Sequence, residues 1–222
     1  MDIEQFQCAL EGLSFLFVND GSTDGTLAFL EANYKEGMHI LNLERNSGKA
    51  EAVRRGMLHV KSIPGYDRVE WIGFIDADLS TPISEVFNFL RFNEFSGYQA
   101  DAIWGSRVKR LGSTIQRSPL RHLFGRAFAT VVGLYFNTEF YDSQCGAKLF
   151  RKELVDSLFQ KPFISRWIFD IEIYLRMKEH RIIECPLQVW QDVGDSKINI
   201  PKMLPRVLYD IWRIKRTYFP RG

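Results

Sequence analysis

Two carboxylates one residue apart, Asp76 and Asp78, close the apolar run WIGFI and precede Leu79-Ser80-Thr81-Pro82. Paired acids at the end of a strand can hold a hard divalent cation such as Mg²⁺ or Mn²⁺. Such an ion takes few protein carboxylates and completes its shell with phosphate oxygens and water. Asp78 or Ser80 capping the next helix would give the same local pattern. Upstream, Asn19-Asp20-Gly21-Ser22-Thr23-Asp24-Gly25-Thr26 offers a sharp turn at Gly21, an acceptor at Asp20 and a helix start behind them. An Asx-type turn with a capping Asp24 is the simpler alternative. A third turn, Asn46-Ser47-Gly48-Lys49-Ala50, puts a lysine and free backbone N–H groups at a helix start, a combination suited to an anion. It lacks the spacing of a P-loop. Lastly, Arg107, Arg117, Arg121 and Arg126 stand among Leu120, Leu123 and Phe124. Arginines beside an apolar surface suit a phosphate that carries a lipid.

These turns require a common support. Short apolar runs alternate with helical spacing, as in βαβ units. Strands are predicted at Ser14–Val18, Met38–Leu43, Trp71–Ile75 and Asp101–Trp104. Each ends in one of the turns above or in Gly105-Ser106-Arg107. Helices are predicted from about Gly25 to Tyr34, Lys49 to Val60 and Pro82 to Phe95. In an open parallel sheet, ligands bind beyond the carboxyl ends of the strands. The reading is therefore an α/β, mostly parallel sheet flanked by helices, with the polar turns along one edge. The second half predicts a helix over Leu120–Tyr135, a loop over Tyr141–Gly146 and a short strand over Ala147–Phe150. A helix near Ile168–Lys178 and one strand from about Ile182 to Trp190 follow, and then a tail in which Pro201 and Pro205 confine any regular helix to its later part.

A chain of 222 residues with 45% hydrophobic and 25% charged content is long enough for one sizeable domain and is not disordered. The whole chain, 1–222, is read as a single domain, with 199–222 a basic amphipathic tail. Cys8, Cys145 and Cys185 are far apart and form no CxxC pair, which fits a reducing compartment. The start shows no signal-peptide pattern, and no run of 18 apolar residues occurs. Net charge is +2, unevenly spread: six Lys or Arg and no acid lie between Arg107 and Arg126, and seven face one acid from Lys197 onward. An anionic partner on that side is one explanation and a solvated basic face is the other. No nucleic-acid motif accompanies the charge.

Taken in order, FVNDGSTDGT, ERNSGKAEAVRRGM, IDADLSTP and GSR resemble glycosyltransferase family 2, with its Rossmann-like GT-A fold for nucleotide-diphospho-sugar transferases. The later segments YDSQCGAKLFRKE, SRWIFDIEI and VWQDVGDSKI, with QRSPLR at Gln116–Arg121, are similar to the dolichyl-phosphate glucosyltransferases and their prokaryotic relatives. The resemblance implies roles. Asp20, with Gly21 and Ser22, would sit near the nucleobase or ribose. Asp76, Ala77 and Asp78 would hold the donor and the metal, with Asp78 the direct ligand. Lys49, Arg107 and Lys197 would meet the donor, the last two at phosphates. Asp142 would sit where the acceptor enters, as an orienting group or base, and Arg117, Arg121, Trp167 and Asp170 would line the acceptor side. Two departures stand out. The family's usual first strand, with its Pro-x-Tyr-Asn-Glu-like turn, has no counterpart, and the chain begins in what resembles the following helix. Gln191 stands where the mannosyl branch has Arg, which leans the donor toward UDP-glucose.

The resemblance implies an inverting, metal-dependent hexosyltransferase acting on polyprenyl or dolichyl phosphate, peripheral on the cytoplasmic membrane face. The tail would bind anionic lipid, with Trp212, Tyr218 and Phe219 near the headgroups and Arg213, Lys215 and Arg216 on phosphate. A packing helix with a solvated side is the alternative for the tail. Transfer to a saccharide acceptor, and an inactive nucleotide-sugar-binding module, are the alternatives for the whole. Sequence alone leaves the oligomeric state open.

Overall fold

The structure, a computed structural model, describes residues 3–10, 12–117, 119–192 and 200–220; of 119–122, 124 and 200–203 it describes the backbone alone. A short helix α1 (Ile3–Cys8) leads into β1 (Phe15–Asn19), and α2 (Thr26–Ala32) connects it to β2 (Met38–Asn42). β1 and β2 pair in parallel, Phe15 opposite Met38 and Asn19 opposite Asn42. Then come α3 (Lys49–His59), β3 (Trp71–Ile75), α4 (Ser84–Ser96), β4 (Ala102–Ser106), β5 (Thr114–Gln116) and α5 (Pro119–Phe136). The chain continues through β6 (Ala147–Arg151), α6 (Val155–Phe159), α7 (Phe169–Arg176), β7 (Ile182–Pro186), β8 (Val189–Gln191) and α8 (Ile200–Tyr218). The larger sheet has the order β3-β6-β4-β7. β6 runs antiparallel to both neighbours, so β3, β4 and β7 point one way and only β6 is reversed. That is the predicted α/β arrangement with a mostly parallel sheet.

Burial follows from this order. β4 reads Ala-Ile-Trp-Gly-Ser, is flanked on both edges, and is buried at every residue, as a strand covered on both faces should be. One side carries Trp104, Phe150, Phe159, Phe169 and Ile173; the other carries Phe89, Ile103, Leu149 and Leu187. A separate cluster joins α5, α7 and α8 through Val132, Phe136, Ile171, Ile211 and Ile214.

Three expectations change. The strand foreseen from Ile182 to Trp190 divides into β7 and β8. The buried carboxylate of Glu85 takes the N–H groups of Gln188 and Val189 at 3.1 and 2.8 Å, which turns the chain away to pair with β5. The tail helix runs through Pro205 rather than starting after it. Its apolar face, with Val207, Ile211 and Ile214 against the core, outweighs the lost backbone bond. Tyr218 and Phe219 do not point outward: Tyr218 accepts a hydrogen bond from Arg176 at 2.9 Å, and Phe219 packs near Phe136. The outward face of α8 carries Leu204, Leu208, Tyr209 and Trp212 instead. Among the described residues no strand precedes β1, and no helix is long and apolar enough to cross a membrane.

Candidate functional site

The turns after β1, β2 and β3 meet. Asp20, just beyond β1, accepts the N–H groups of Ser47 and Gly48 on its two oxygens, both at 2.8 Å. It thereby ties its turn to the one after β2. Gly21 makes that contact possible: its φ is +63°, and a Cβ there would lie 2.3 Å from the Arg45 carbonyl carbon. The Ser22 N–H donates to the Asn19 side chain at 3.3 Å, and the residue itself is exposed. From the start of α3, Lys49 reaches across to Asp76, with Nζ 2.7 Å from Oδ1 and 2.8 Å from Oδ2. Ala77 and Asp78 face solvent. Asp78 accepts the Ser80 N–H at 2.9 Å through Oδ1, a local turn four residues short of α4, whose N-cap Ile83 has no side-chain bond; neither Asp78 nor Ser80 caps the helix, and Oδ2 is left for a ligand. Leu79 takes a left-handed φ of 56° and buries its side chain, which turns the two acids outward.

Among the described residues no cluster of three His, Cys, Asp or Glu makes a closed metal site. Two solvent-facing carboxylates are a part-set of hard oxygens. They fit a divalent ion that brings phosphate oxygens with it, and do not fit a structural metal.

The second group of charges is built on β4, β6 and the loop Tyr141–Gly146. Arg107 forks onto Asp142 with Nε–Oδ2 of 2.6 Å and Nη2–Oδ1 of 2.7 Å, and its backbone N–H adds a third bond at 3.1 Å. Burial alone would raise the Asp142 carboxyl, but the Arg107 guanidinium outweighs it and holds the group down to about 2. A carboxylate so committed is an anchor for Arg107 and a poor proton acceptor. Arg117 comes to the same place from β5. Burial, and then the charge of Arg107, work against its own charge. Arg126 stacks on Tyr141, Cζ 3.6 Å from the ring centre, and donates to the Tyr141 carbonyl at 2.9 Å. Three arginines thus converge on one loop, and an anion there would offset the charge of Arg107 on Arg117. Asp76 adjoins the far end of the same loop, its N–H donating to the Gly146 carbonyl at 2.9 Å, so the two groups of charges border one cleft at Gly146.

The structure brings together Asp20, Gly21, Ser22, Lys49, Asp76, Ala77 and Asp78 on one side and Arg107, Arg117 and Asp142 on the other. Trp167 is exposed beside Arg166, whose Nε donates to the Ser47 carbonyl at 3.1 Å. Lys197 and the Arg121 side chain lie outside the described residues.

Sequence reasoning passed over the buried Lys148 and the half-buried Glu184, and it set Asp170 beside Trp167 on the acceptor side, where the structure buries it against Lys148. Lys148 on β6 donates to the Ser143 and Cys145 carbonyls at 3.0 and 2.6 Å and to Asp170 at 2.7 Å. Burial pushes the Asp170 carboxyl up and Lys148 pulls it back. Glu184 on β7 accepts the N–H groups of Tyr141 and Asp142 at 2.6 and 2.8 Å. The available signal was a charge inside each of three apolar runs, AKLF, FDI and IIEC.

The chain is similar to known proteins. The glycosyl transferase family 2 model matches residues 5–159. A dolichyl-phosphate beta-glucosyltransferase of Trichomonas vaginalis is 33% identical over 216 residues, covering 93% of this chain and 60% of its own. The Saccharomyces cerevisiae protein of that name is 27% identical over 223 residues, covering 91% and 64%. The chain thus spans roughly three fifths of the length of these curated relatives. Glucosyl-3-phosphoglycerate synthase of Mycobacterium tuberculosis, solved with Mn²⁺, UDP and glucosyl-3-phosphoglycerate, superposes with a TM-score of 0.67 at 19% identity. That match covers 96% of this chain and 73% of the other. A second complex of the same synthase, with Mn²⁺, UDP and phosphoglyceric acid, gives 0.68 at 17% identity and covers 99% and 73%. The fold is GT-A, and with its ordered turns and the match over residues 5–159 the chain belongs to glycosyl transferase family 2.

Proposed function

We propose that the chain transfers a hexose, glucose from UDP-glucose, to a polyprenyl or dolichyl phosphate with inversion at the sugar carbon. The observation that carries this reading is the convergence of Arg107, Arg117 and Arg126 on the 141–142 loop, whose other end at Gly146 accepts the Asp76 N–H at 2.9 Å. A phosphate acceptor needs cations and no strong base. Its second pKa of roughly 6 leaves the monoester largely ionised near neutral pH.

In this mechanism Asp20 and the turns it joins support the nucleoside. Asp76 and Asp78 would hold Mg²⁺ or Mn²⁺, which supplies charge neutralisation for the departing diphosphate. Lys49 passes from Asp76 to a donor phosphate. Arg107, fixed by Asp142, and Arg117 hold the acceptor phosphate, whose oxygen forms the new bond to the sugar carbon as the bond to the diphosphate breaks. Lys197 and Arg121 belong to the same reading, as phosphate contacts for donor and acceptor. A hydroxyl acceptor would need a base, and the Asp142 carboxyl, held at about 2 by Arg107, suits that poorly.

The lipid end has a fitting surface. Leu204, Leu208 and Trp212 recur at four-residue spacing on the exposed face of α8, with Tyr209 stacked on Trp212 at 5.9 Å. Arg213 and Arg216 flank these rings. An anionic membrane surface meets both features, which supports a peripheral place on the cytoplasmic face.

Transfer of label from UDP-glucose and GDP-mannose to a polyprenyl phosphate, with Mg²⁺ or Mn²⁺ and an Asp78→Ala control, tests the reading. The expected result is metal-dependent product from UDP-glucose, lost in the control. Donor binding without product from either sugar would move the assignment to a saccharide acceptor or an inactive module.

A further inference from the structure

The loop from Tyr141 to Gly146 touches both sides of the cleft. Asp142 holds Arg107 at one end, and at the other the Gly146 carbonyl accepts the Asp76 N–H at 2.9 Å. The loop is fastened from below. Lys148 is fully buried, and its three N–H bonds go to two loop carbonyls and Asp170, which is all an ammonium can donate. The rings of Trp104 and Phe74 lie 4.8 and 5.5 Å from its Nζ. Gln144 reaches the other Asp170 oxygen at 3.3 Å, closing a ring of bonds around residues 143–145. Glu184 secures the two residues before them through their N–H groups.

We infer that Lys148 is a positioning residue for the transfer, fixing the 141–146 loop so that Asp76 and Arg107 keep a set separation across the cleft. Glu184 performs the same office from the other end of the loop. A buried lysine is an expensive way to fill space, since an apolar side chain of that volume would pack on Trp104 and Phe74 without desolvating a charge. What the ammonium adds is direction: two loop carbonyls can point at one place only while three donors sit beneath them. A displacement of about 1 Å between reacting groups can cost roughly 100-fold in rate, so a loop that bridges them is where rigidity matters most.

This role rests on the proposed transfer, and the test separates the two. The first variant is Lys148→Met combined with Asp170→Asn, which leaves no unpaired charge. It is compared with the wild type in thermal melting, in UDP and Mn²⁺ affinity by calorimetry, and in steady-state transfer to polyprenyl phosphate. The expected result is a folded chain whose UDP and Mn²⁺ affinities stay within about threefold while kcat falls on the order of 100-fold. A fall in melting temperature with kcat per folded molecule unchanged would make Lys148 a packing residue and overturn the inference. Where the double variant does not fold, Glu184→Gln decides. It turns one acceptor oxygen into a donor facing a backbone N–H, so kcat should fall roughly tenfold with KM for UDP-glucose unchanged; equal kcat overturns the inference. A wild-type chain that transfers to no acceptor overturns the proposed function, and this role with it.

Discussion

The two sides of the cleft handle charge in opposite ways. On the proposed donor side, Lys49 and Asp76 form a short ion pair, yet their side chains remain 42% and 35% exposed. On the proposed acceptor side, Arg107 and Asp142 are 13% and 10% exposed, and Lys148 and Asp170 are 0% and 7%. Exposed pairs are worth about 0–1 kcal/mol and exchange partners readily. Breaking a buried pair by removing one partner costs about 3–5 kcal/mol, because a charge is stranded. The molecule therefore leaves adjustable the side proposed for metal and diphosphate, and builds in advance the side proposed for the acceptor.

The largest effect should follow from stranding a charge on the acceptor side. Asp142→Asn leaves Arg107 charged and nearly buried, and should destabilise the fold by about 3 kcal/mol at neutral pH. The pH dependence has a definite sign. The folded carboxyl sits at about 2, below its ordinary 3.8, so its stabilisation is present above about pH 4 and fades as pH falls toward 2. That pH-dependent part amounts to about 2 kcal/mol. Asp170, Glu172 and Glu184 are shifted upward by burial and act with the opposite sign, but both chains carry them. Urea unfolding of the two chains from pH 6 to pH 2 should show the gap between them narrowing by about 2 kcal/mol. A constant gap would mean that the Arg107 pair does not hold the carboxyl down.

Next comes the point where the two sides touch. A Cβ on Gly146 would lie 2.1 Å from Asp76 Oδ2 and 2.4 Å from its Cγ. The obstacle is the end of a side chain, so the fold can yield by rotating Asp76 away from Lys49. Gly146→Ala should therefore melt within a few degrees of the wild type while transfer falls by roughly 100-fold. Comparable losses in stability and activity would show that the backbone, not Asp76, gives way, and would blur the division drawn above.

The same division governs what the sequence made legible. The donor turns announce themselves because exposed ligand groups must sit at strand ends, where Gly21 and the Asp76–Asp78 pair interrupt apolar runs. Three of the four early strands fall within one or two residues of their observed ends, and Trp71–Ile75 matches at both ends. On the other side the sequence singled out Arg107, Arg117 and Asp142, which the structure brings together, but not what fixes them. Lys148, Asp170 and Glu184 lie far apart in the chain and meet only after β6, α7 and β7 have packed, so local pattern carries no trace of their partners. The division of residues 182–190 failed for a related reason: Glu85, about a hundred residues earlier, makes the turn. Pro205 misled because local propensity says nothing of the core that α8 covers.

The smallest expected change in stability is also the one that tests most directly whether the donor side is adjustable. Lys49→Met removes a cation from an exposed pair, so the fold should lose less than about 1 kcal/mol. Its effect on ligands should be larger and split by sign. Asp76, freed from Lys49, becomes available as a hard oxygen donor, so Mn²⁺ binding without nucleotide should strengthen. UDP binding should weaken, because a phosphate loses a nearby cation. Calorimetric titration with Mn²⁺ alone, and then with UDP in excess Mn²⁺, reads the two effects separately. Opposite movement of the two affinities fits a lysine that exchanges Asp76 for phosphate when the donor arrives. If both weaken, Lys49 is holding Asp76 in place, and the donor side is preorganised after all, by an exposed pair in place of a buried one.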